Sequence, residues 1–290
     1  MKAALEIKNL TKYYGDILGV KNLNLELEKG EIFGFIGPNG AGKSTTLRCI
    51  MNLINKNEGE IYINGILFDK DNIPLKEIIG YLPSEINLYE DLTVQEILNY
   101  HQSFYKKDFS KNRNKLVKLF KLDENKKIEN LSLGNLKKLG IVLALMHEPE
   151  ILILDEPTSG LDPIMQQNFY NLLLEEKKKG KTILYSTHVL NEVAKICDRV
   201  GIIKEGTLLK IEAIENLHKL NLFYITIISE DVNKIIKELK LNKYELNNNL
   251  IKFRNTIDIN ILLKELTKHK ISKLLVEEAS LEDIFLHYYK

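Results

Sequence analysis

The chain has 290 residues, 44% of them apolar, and its 41 basic side chains nearly balance 40 acidic ones. This composition predicts one large folded domain with a small one, and the net charge of +1 gives no electrostatic reason to expect nucleic acid or an anionic membrane as a partner. Two widely spaced cysteines are typical of a reduced cytosolic chain. No window approaches the roughly 18 uninterrupted apolar residues of a membrane span, and the first residues lack a signal-peptide core, so we expect no bilayer crossing.

Strand and loop patterns alternate over the first 50 residues. Residues 4–27 predict two half-buried antiparallel strands, because apolar and polar residues alternate there. The sequence EIFGFIG at 31–37 predicts a buried strand that runs into a glycine loop, and STTLRCIMNLI at 44–54 predicts the helix that follows. The order strand, loop, helix is therefore expected around the glycines.

The middle of the chain predicts a parallel sheet with a helical insertion. Residues 93–147 are mostly helical in pattern. The apolar runs ILILDEP at 151–157 and KTILYSTH at 181–188 have strand length, and a helical pattern lies between them. Alternating strands and helices are typical of an α/β fold with crossover helices.

The pattern changes after about residue 212. From there the elements follow the order βαββαβ, as in a ferredoxin-like unit, and SLEDIFLHYY at 280–289 predicts a last capped helix. We therefore expect two domains, residues 1–212 and a small accessory α+β domain at 213–290.

The glycine loop carries a phosphate-binding motif. It matches G-x-x-x-x-G-K-[ST] between a predicted strand and a predicted helix. Glycines let successive backbone N–H groups point at a phosphate, and the following helix presents its unpaired N–H groups to the same anion. In such a loop Lys43 reaches the β- and γ-phosphates, and the Ser44 hydroxyl binds Mg²⁺. The predicted nucleotide-binding residues are Gly37, Pro38, Asn39, Gly40, Ala41, Gly42, Lys43, Ser44 and Thr45.

Two predicted strands end in residues that can act on a nucleotide phosphate. Asp155 and Glu156 close one apolar run, where Pro157 prevents the strand from continuing. Asp155 can complete the Mg²⁺ shell, and Glu156 can orient or deprotonate the attacking water. His188 closes the next run, at the same sheet edge, so we expect it to contact the γ-phosphate.

A second anion site is predicted within residues 129–145, ENLSLGNLKKLGIVLAL. Ser132 is the expected N-cap of a helix there, and with Gly134 it presents the helix N-terminus to an anion. One chain would then carry two phosphate-binding surfaces of different design, and each could serve a different copy of the nucleotide.

These motifs, in this order and spacing over residues 4 to about 212, resemble the nucleotide-binding subunit of ATP-binding-cassette (ABC) transporters. GPNGAGKST is similar to the Walker A loop, LSLGN to the signature motif, ILILDE to the Walker B strand and SGLD to the D-loop. The resemblance implies that Tyr14 stacks on adenine, that His188 is the switch histidine, and that Asp162 belongs to the nucleotide site. The closing LEDIF is similar to the tail of exporters of the drug- and bacitracin-resistance kind.

The resemblance implies a fold and an activity. The expected fold class is an α/β P-loop NTPase cassette, with a mostly parallel sheet, an antiparallel β subdomain and a helical subdomain at about 86–147. The expected activity is Mg²⁺-dependent ATP hydrolysis, with Lys43, Glu156 and His188 as catalytic residues. Two copies would dimerise head to tail around two ATP molecules and drive a separate integral-membrane permease. The subunit would then be cytoplasmic and peripheral on the inner face of the membrane.

Some positions depart from the family pattern. Ser84 and Glu85 stand where a glutamine usually follows GYLP, so either oxygen-bearing side chain is expected to supply the Mg²⁺ and water contact of that loop. In the signature LSLGN, Leu133 and Asn135 stand where glycine and glutamine are common in the family. Lys137 and Lys138 stand where Gln-Arg is frequent, and we expect both on the solvated surface of the helix.

Alternative functions are open at the level of the sequence. A soluble cassette ATPase that acts on nucleic acid or ribosomes is disfavoured by the near-zero net charge and the single cassette, so no nucleic-acid partner is expected. A regulatory module that binds ATP without hydrolysis is suggested by the missing glutamine. Tyr13 and Tyr14 could simply pack against the first strands.

Overall fold

The computed structural model describes residues 3–219, 223–254 and 258–278. The chain folds into two compact units, Met1–Ile214 and Glu215–Lys290. No helix in the described parts of the chain is long and apolar enough to span a membrane.

The first unit contains ten strands, seven complete α-helices and one 3₁₀ turn, Ile128–Asn130, within its described residues. The strands are β1 (Leu5–Tyr14), β2 (Ile17–Leu27), β3 (Ile32–Ile36), β4 (Glu58–Ile63), β5 (Ile66–Leu67), β6 (Ile79–Leu82), β7 (Ile151–Asp155), β8 (Thr182–Thr187), β9 (Arg199–Lys204) and β10 (Thr207–Ala213). The helices are α1 (Lys43–Ile50), α2 (Ile73–Glu77), α3 (Val94–Gln102), α4 (Ser110–Phe120), α5 (Leu133–Leu145), α6 (Pro163–Lys178) and α7 (Leu190–Ile196). A short helix α8 (Ile214–Lys219) begins at the last residue of the unit.

A six-stranded sheet positions the predicted phosphate-binding segments. Its order is β10-β9-β3-β8-β7-β6, and all neighbouring pairs are parallel except β10 with β9. Every residue of β3, β7 and β8 is buried, as expected for strands without polar alternation that are covered on both faces. Because these three strands are parallel neighbours, the segments that follow their carboxyl ends meet at one edge.

A second sheet of the first unit is antiparallel, with the order β2-β1-β4-β5. Alternate leucines of β2, Leu23, Leu25 and Leu27, are buried in the core that this sheet shares with β3 and α1. The alternation over residues 4–27 therefore predicted both the pairing of the strands and the face that packs inward.

Three α-helices, α3 to α5, occupy the stretch between β6 and β7, where the sequence predicted an insertion. Helix α3 begins with a capping box: the Thr93 side chain accepts a hydrogen bond from the Glu96 amide, and the Glu96 carboxylate accepts one from the Thr93 amide. The N-cap of helix α5 is Ser132, whose hydroxyl oxygen accepts a hydrogen bond from the Asn135 amide at 3.3 Å.

The second unit has a small α+β fold of its own. Its elements are β11 (Phe223–Ser229), α9 (Val232–Glu238), β12 (Tyr244–Asn247), β13 (Leu250–Arg254), α10 (Ile259–Leu266) and β14 (Ile271–Glu278). The antiparallel sheet has the order β12-β13-β11-β14, as in split βαβ folds, and α9 and α10 pack on one core with it. The helix predicted at 280–289 lies outside the described residues.

Candidate functional site

The glycine loop encloses the side chain of Lys43. The Lys43 ammonium is buried and donates hydrogen bonds to the carbonyl oxygens of Gly37 at 2.7 Å and Pro38 at 3.2 Å. A Cβ atom on Gly37 would lie 2.4 Å from the carbonyl oxygen of Ile203, and Gly42 has a φ of +103°, so both positions require glycine. The loop is therefore tightly curled around the ammonium group of Lys43.

The first turn of α1 opens into this loop. Its N-cap is Gly42, and no side chain among the described residues caps the turn. The N-terminus of a helix leaves backbone N–H groups without intrahelical partners, and together with the helix dipole these attract an anion. Ser44 and Thr45, which are half-buried, lie in this turn.

Asp155 is fully buried at the end of β7 and has a polar atom without a protein partner. Its Oδ1 accepts a hydrogen bond from the Ser186 hydroxyl at 3.1 Å, whereas its Oδ2 has no partner within the described residues. A buried carboxylate oxygen left unsatisfied is costly unless an ion or water takes it up. Asp155 therefore fits a cation or a cation-bound water.

Glu156 joins the phosphate loop to the end of β8. One carboxylate oxygen lies 3.5 Å from the Lys43 ammonium, and the other lies 3.0 Å from Nδ1 of His188. The residue has a φ of +46°, in the left-handed region, and its amide donates to the Ser186 carbonyl at 3.0 Å. Such strain is sustained only where the surroundings fix the backbone. The structure thus brings Lys43, Asp155, Glu156 and His188 together, as the sequence predicted.

The donor set suits Mg²⁺ better than a metal held by a protein cage. No cluster of three or more His, Cys, Asp or Glu side chains able to hold a metal occurs in the described part of the chain. Mg²⁺ typically keeps waters and binds one or two carboxylates together with substrate phosphates. Asp155 and the Ser44 hydroxyl match that requirement.

The loop after β6 holds the two residues predicted to replace a glutamine. Ser84 is half-buried and Glu85 is exposed. β6 pairs with β7 in parallel register, Leu82 opposite Leu154, so the loop follows the same edge of the sheet as Asp155. Neither side chain has a hydrogen bond or ion pair to Asp155 or Glu156 within the described residues, and their metal role stays a prediction.

Tyr14 reaches the phosphate loop from the end of β1. Its hydroxyl lies 3.4 Å from the Thr45 hydroxyl, and the Lys12 ammonium lies 5.1 Å from its ring centroid. The Tyr14 side chain is 43% exposed, so it is not part of the core. The ring is available to a base stacked beside the loop.

The signature segment is not part of the bonded cluster of Lys43, Glu156 and His188 among the described contacts. Ser132 is exposed at the start of α5, and no described hydrogen bond joins it to the glycine loop. A Cβ on Gly134 would lie 2.7 Å from the carbonyl oxygen of Gly160, so the signature and the loop after β7 approach closely in the same chain. Asp162 caps α6, its Oδ1 accepting from the Met165 amide at 2.9 Å.

The expectation for Lys137 is wrong: this side chain is buried on α5. Its ammonium donates to the Ser84 carbonyl at 2.8 Å. Burial lowers the pKa of Lys137, while the charges of Asp155 and Glu156 act in the opposite direction. Lys138, half-buried, lies 3.4 Å from the Asn135 side-chain oxygen. The spacing of Lys137 from Gly140, Ile141 and Ala144, which are also buried, was the signal that could have placed it inward.

An exposed apolar groove lies on the helical segment. It has a volume of about 400 Å³, and the edges of its aromatic rings contact one another, Tyr89 with Tyr100 and Tyr100 with Phe104. Tyr89 and Phe104 are each 62% exposed. The residues that line the groove are Asn87, Leu88, Tyr89, Ile97, Tyr100, His101, Phe104 and Leu143.

Comparisons with known proteins agree with this geometry. A family model described as ABC transporter matches residues 20–159. The chain is 33% identical to the linearmycin resistance ATP-binding protein LnrL of Bacillus subtilis, over 98% of this chain and 97% of that protein. The chain belongs to the ABC transporter family. It is also 34% identical to the bacitracin transport ATP-binding protein BcrA of Bacillus licheniformis, over 99% of this chain and 97% of that one.

Solved ABC cassettes share the fold. An ATP-binding subunit of an ABC transporter aligns with a TM-score of 0.68 at 28% identity, covering 91% of this chain and 99% of that chain. A dimeric bacterial cassette aligns with a TM-score of 0.67 at 31% identity, over 72% of this chain and 98% of that one. A related dimer, similar at 30% identity with a TM-score of 0.66 over 72% of this chain and 98% of that one, is bound to ADP and Pi. This chain is therefore an ABC ATPase subunit, with the α/β P-loop fold that the motifs predicted.

Proposed function

We propose that two copies of this chain bind two Mg-ATP between them and use ATP hydrolysis to drive an exporter with a separate permease. The observation that carries the proposal is the contact of Glu156 with both Lys43 and His188 beside the glycine loop. The dimeric cassette and the bacitracin and linearmycin relatives support the dimer and the export function. Residues 1–212 would form the ATPase domain and residues 213–290 an accessory domain.

Each residue of the site has a role in this proposal. The loop amides of residues 39–45 hold the β-phosphate, and Lys43 exchanges its two carbonyl acceptors for phosphate oxygens. Glu156 takes the proton of the attacking water. His188, whose Nδ1 lies 3.0 Å from the Glu156 carboxylate, contacts the γ-phosphate. Mg²⁺, held by Ser44 and Asp155 with Ser84 or Glu85 near it, would offset charge on the phosphates.

The second copy supplies what one chain lacks at each ATP. Ser132 and Gly134 would present the N-terminus of α5 to the γ-phosphate of the partner's nucleotide, and Asp162 would lie beside it. A two-fold dimer places the same surfaces on both sides, so each copy gives and receives these contacts. Nucleotide binding would then close the dimer, and hydrolysis would release it.

The permease would bind at the apolar groove between α3 and the segment Ile86–Leu92. Exposed aromatic rings in a groove of this size suit the apolar face of a short helix from another chain. Attachment there would place the subunit on the cytoplasmic face of the membrane.

The experiment is sizing chromatography with light scattering at saturating ATP and Mg²⁺. Glu156→Gln keeps the shape of the side chain but removes the base, which is worth roughly 10²- to 10⁴-fold in rate, so ATP should persist and hold a dimer. Glu175→Gln, an exposed carboxylate change on α6, is the matched control and should hydrolyse ATP as the parent chain does. A Glu156→Gln protein that stays monomeric, or that dimerises equally without ATP, would contradict the proposal.

A further inference from the structure

Glu192 is a buried carboxylate in the first turn of α7, and it receives hydroxyl groups from four separate positions. Its side chain is 6% exposed. No lysine or arginine in the described part of the chain forms an ion pair with it. The donors are the hydroxyls of Thr158, of Tyr170 at 3.1 Å, of Tyr185 at 2.9 Å and of Thr187 at 2.8 Å.

Three of these hydroxyl groups, those of Tyr170, Tyr185 and Thr187, can each be assigned as a donor to Glu192. Burial, followed by the charge of Glu192, raises the pKa of the Tyr185 phenol and likewise that of Tyr170, so both keep their protons. The Thr187 hydroxyl accepts from the Val189 amide at 3.0 Å, which leaves its proton directed to Glu192. Hydrogen bonds to a charged acceptor are roughly twice as strong as neutral ones, and four of them can compensate the burial of one carboxylate.

Two of the four donors are next to the residues that act on ATP. Thr187 immediately precedes His188 at the end of β8, and Thr158 is two residues after Glu156. The backbone around Thr158 is a tight turn, in which the Ser159 amide donates to the Glu156 carbonyl at 3.3 Å and the Leu161 amide to the Thr158 carbonyl at 3.0 Å. Glu192 thus anchors both chain segments to one carboxylate group.

We propose that Glu192 is a positioning residue for ATP hydrolysis, holding the segments of Glu156 and His188 at the distance at which these two side chains meet. The proposal rests on the proposed roles of Glu156 and His188. β7 and β8 pair as far as Asp155 with Ser186, and Thr158 and Thr187 lie beyond that pairing. A carboxylate that contacts both segments there adds to the strand pairing and helps to hold them to the fraction of an ångström that a proton transfer needs.

The test separates a positioning role from a packing role. Glu192→Gln keeps the shape and removes the charge-assisted acceptor, and Glu176→Gln is the matched control. Glu176 is equally buried at 5% exposure, but it pairs with Lys179 and Lys181, and it has no described contact with Glu156 or His188. Steady-state ATP hydrolysis, ATP affinity by calorimetry and thermal unfolding are measured for the full chain of each variant.

A small displacement of catalytic groups can cost up to about 100-fold in rate, so we expect Glu192→Gln to lower kcat about tenfold or more with the ATP dissociation constant unchanged within about twofold. Glu176→Gln should lower the melting temperature with kcat unchanged. Equal kcat for the two variants would overturn the proposal.

A second pair of variants tests the same proposal if the Glu192→Gln protein fails to fold. Thr187→Val removes one donor, and Thr187→Ser restores it. We expect Thr187→Val to lower kcat without changing ATP affinity, and Thr187→Ser to recover the parent rate. A valine variant with the parent kcat, or a serine variant as slow as valine, would overturn the proposal. Failure of the proposed function itself is distinguishable, because Glu156→Gln would then hydrolyse ATP normally.

Discussion

The edge of the main sheet and the start of α5 both carry phosphate-binding motifs, yet they differ in how their polar groups are satisfied. At the sheet edge, Lys43 is buried and bonded to its own loop, and Glu156 is held by Lys43 and His188. At the start of α5, Ser132 is exposed and the neighbouring Leu133 is 82% exposed. The first region is assembled within one chain, whereas the second has an exposed helix N-terminus that, in the dimer proposed above, the partner's nucleotide would complete.

The largest effect is expected at the assembled edge, from Lys43→Ala. Two charge-assisted contacts at about 1.5 to 3 kcal/mol each imply a loss of ATP affinity of more than about 100-fold. Calorimetric titration with ATP measures it. Lys106→Ala, at an exposed lysine of the helical segment, should bind as the parent chain does. Affinity retained in Lys43→Ala would mean that the loop holds phosphate through its amides alone.

Ser132→Arg should do the opposite of Lys43→Ala: ATP affinity should stay unchanged, while ATP hydrolysis and dimerisation should be lost. The exposed side chain at the α5 N-terminus has no described hydrogen bond to the glycine loop of its own chain, so ATP should bind normally. The arginine would enter the partner's phosphate site, and loss of such donors costs roughly 10²- to 10³-fold in rate. ATPase activity and dimerisation by light scattering are the measurements.

The matched control for Ser132→Arg is Ser110→Arg, at the exposed first residue of α4. This variant adds the same charge to the helical segment and should dimerise with ATP. Impaired ATP binding in monomeric Ser132→Arg would contradict the comparison, because it would place both motifs at one intramolecular site.

Much of the sheet edge could be predicted because its determinants are local. A glycine loop can be recognised from its spacing, and apolar runs without alternation predict buried parallel strands whose carboxyl ends share an edge. Asp155, Glu156 and His188 could therefore be placed together from the sequence. The strand order β10-β9-β3-β8-β7-β6 could not, because it depends on crossovers between distant segments.

The charged residues inside the fold were harder to predict. Lys137 and Glu192 are buried because partners elsewhere in the fold satisfy them: the Ser84 carbonyl for Lys137, and hydroxyls from four positions for Glu192. A charge on a helix is usually solvated, and pattern reasoning on one sequence assigns it to the surface. Only the tertiary arrangement identifies the acceptor or donors that make burial tolerable.

Lys137 connects the two regions, since it lies on α5 and bonds to the loop after β6. Lys137→Met should free the Ser84 carbonyl, and we expect about tenfold or more faster amide hydrogen exchange at residues 84–87, the effect of losing a charge-assisted hydrogen bond of about 1.5 to 3 kcal/mol. Lys138→Met, one residue further on the same helix, should leave this exchange unchanged. Unaltered exchange in Lys137→Met would show that the loop is fixed by its own packing, and that the two regions are less connected than the contact indicates.

The smallest effect is expected from Tyr14, which lies at the margin of the assembled edge. Stacking of a base on an aromatic ring is worth roughly 1 to 3 kcal/mol, so Tyr14→Ala should weaken ATP binding about fivefold or more in calorimetry.

Tyr14→Phe keeps the ring and loses only the 3.4 Å contact of the hydroxyl with Thr45, so its affinity should stay near the parent value. Tyr13→Ala removes a neighbouring ring that is 37% exposed and should also have little effect. Because no described contact joins Tyr14 to the signature segment, Tyr14→Ala should still dimerise once ATP is raised to saturation. A dissociation constant that does not change in Tyr14→Ala would show that the base is held elsewhere.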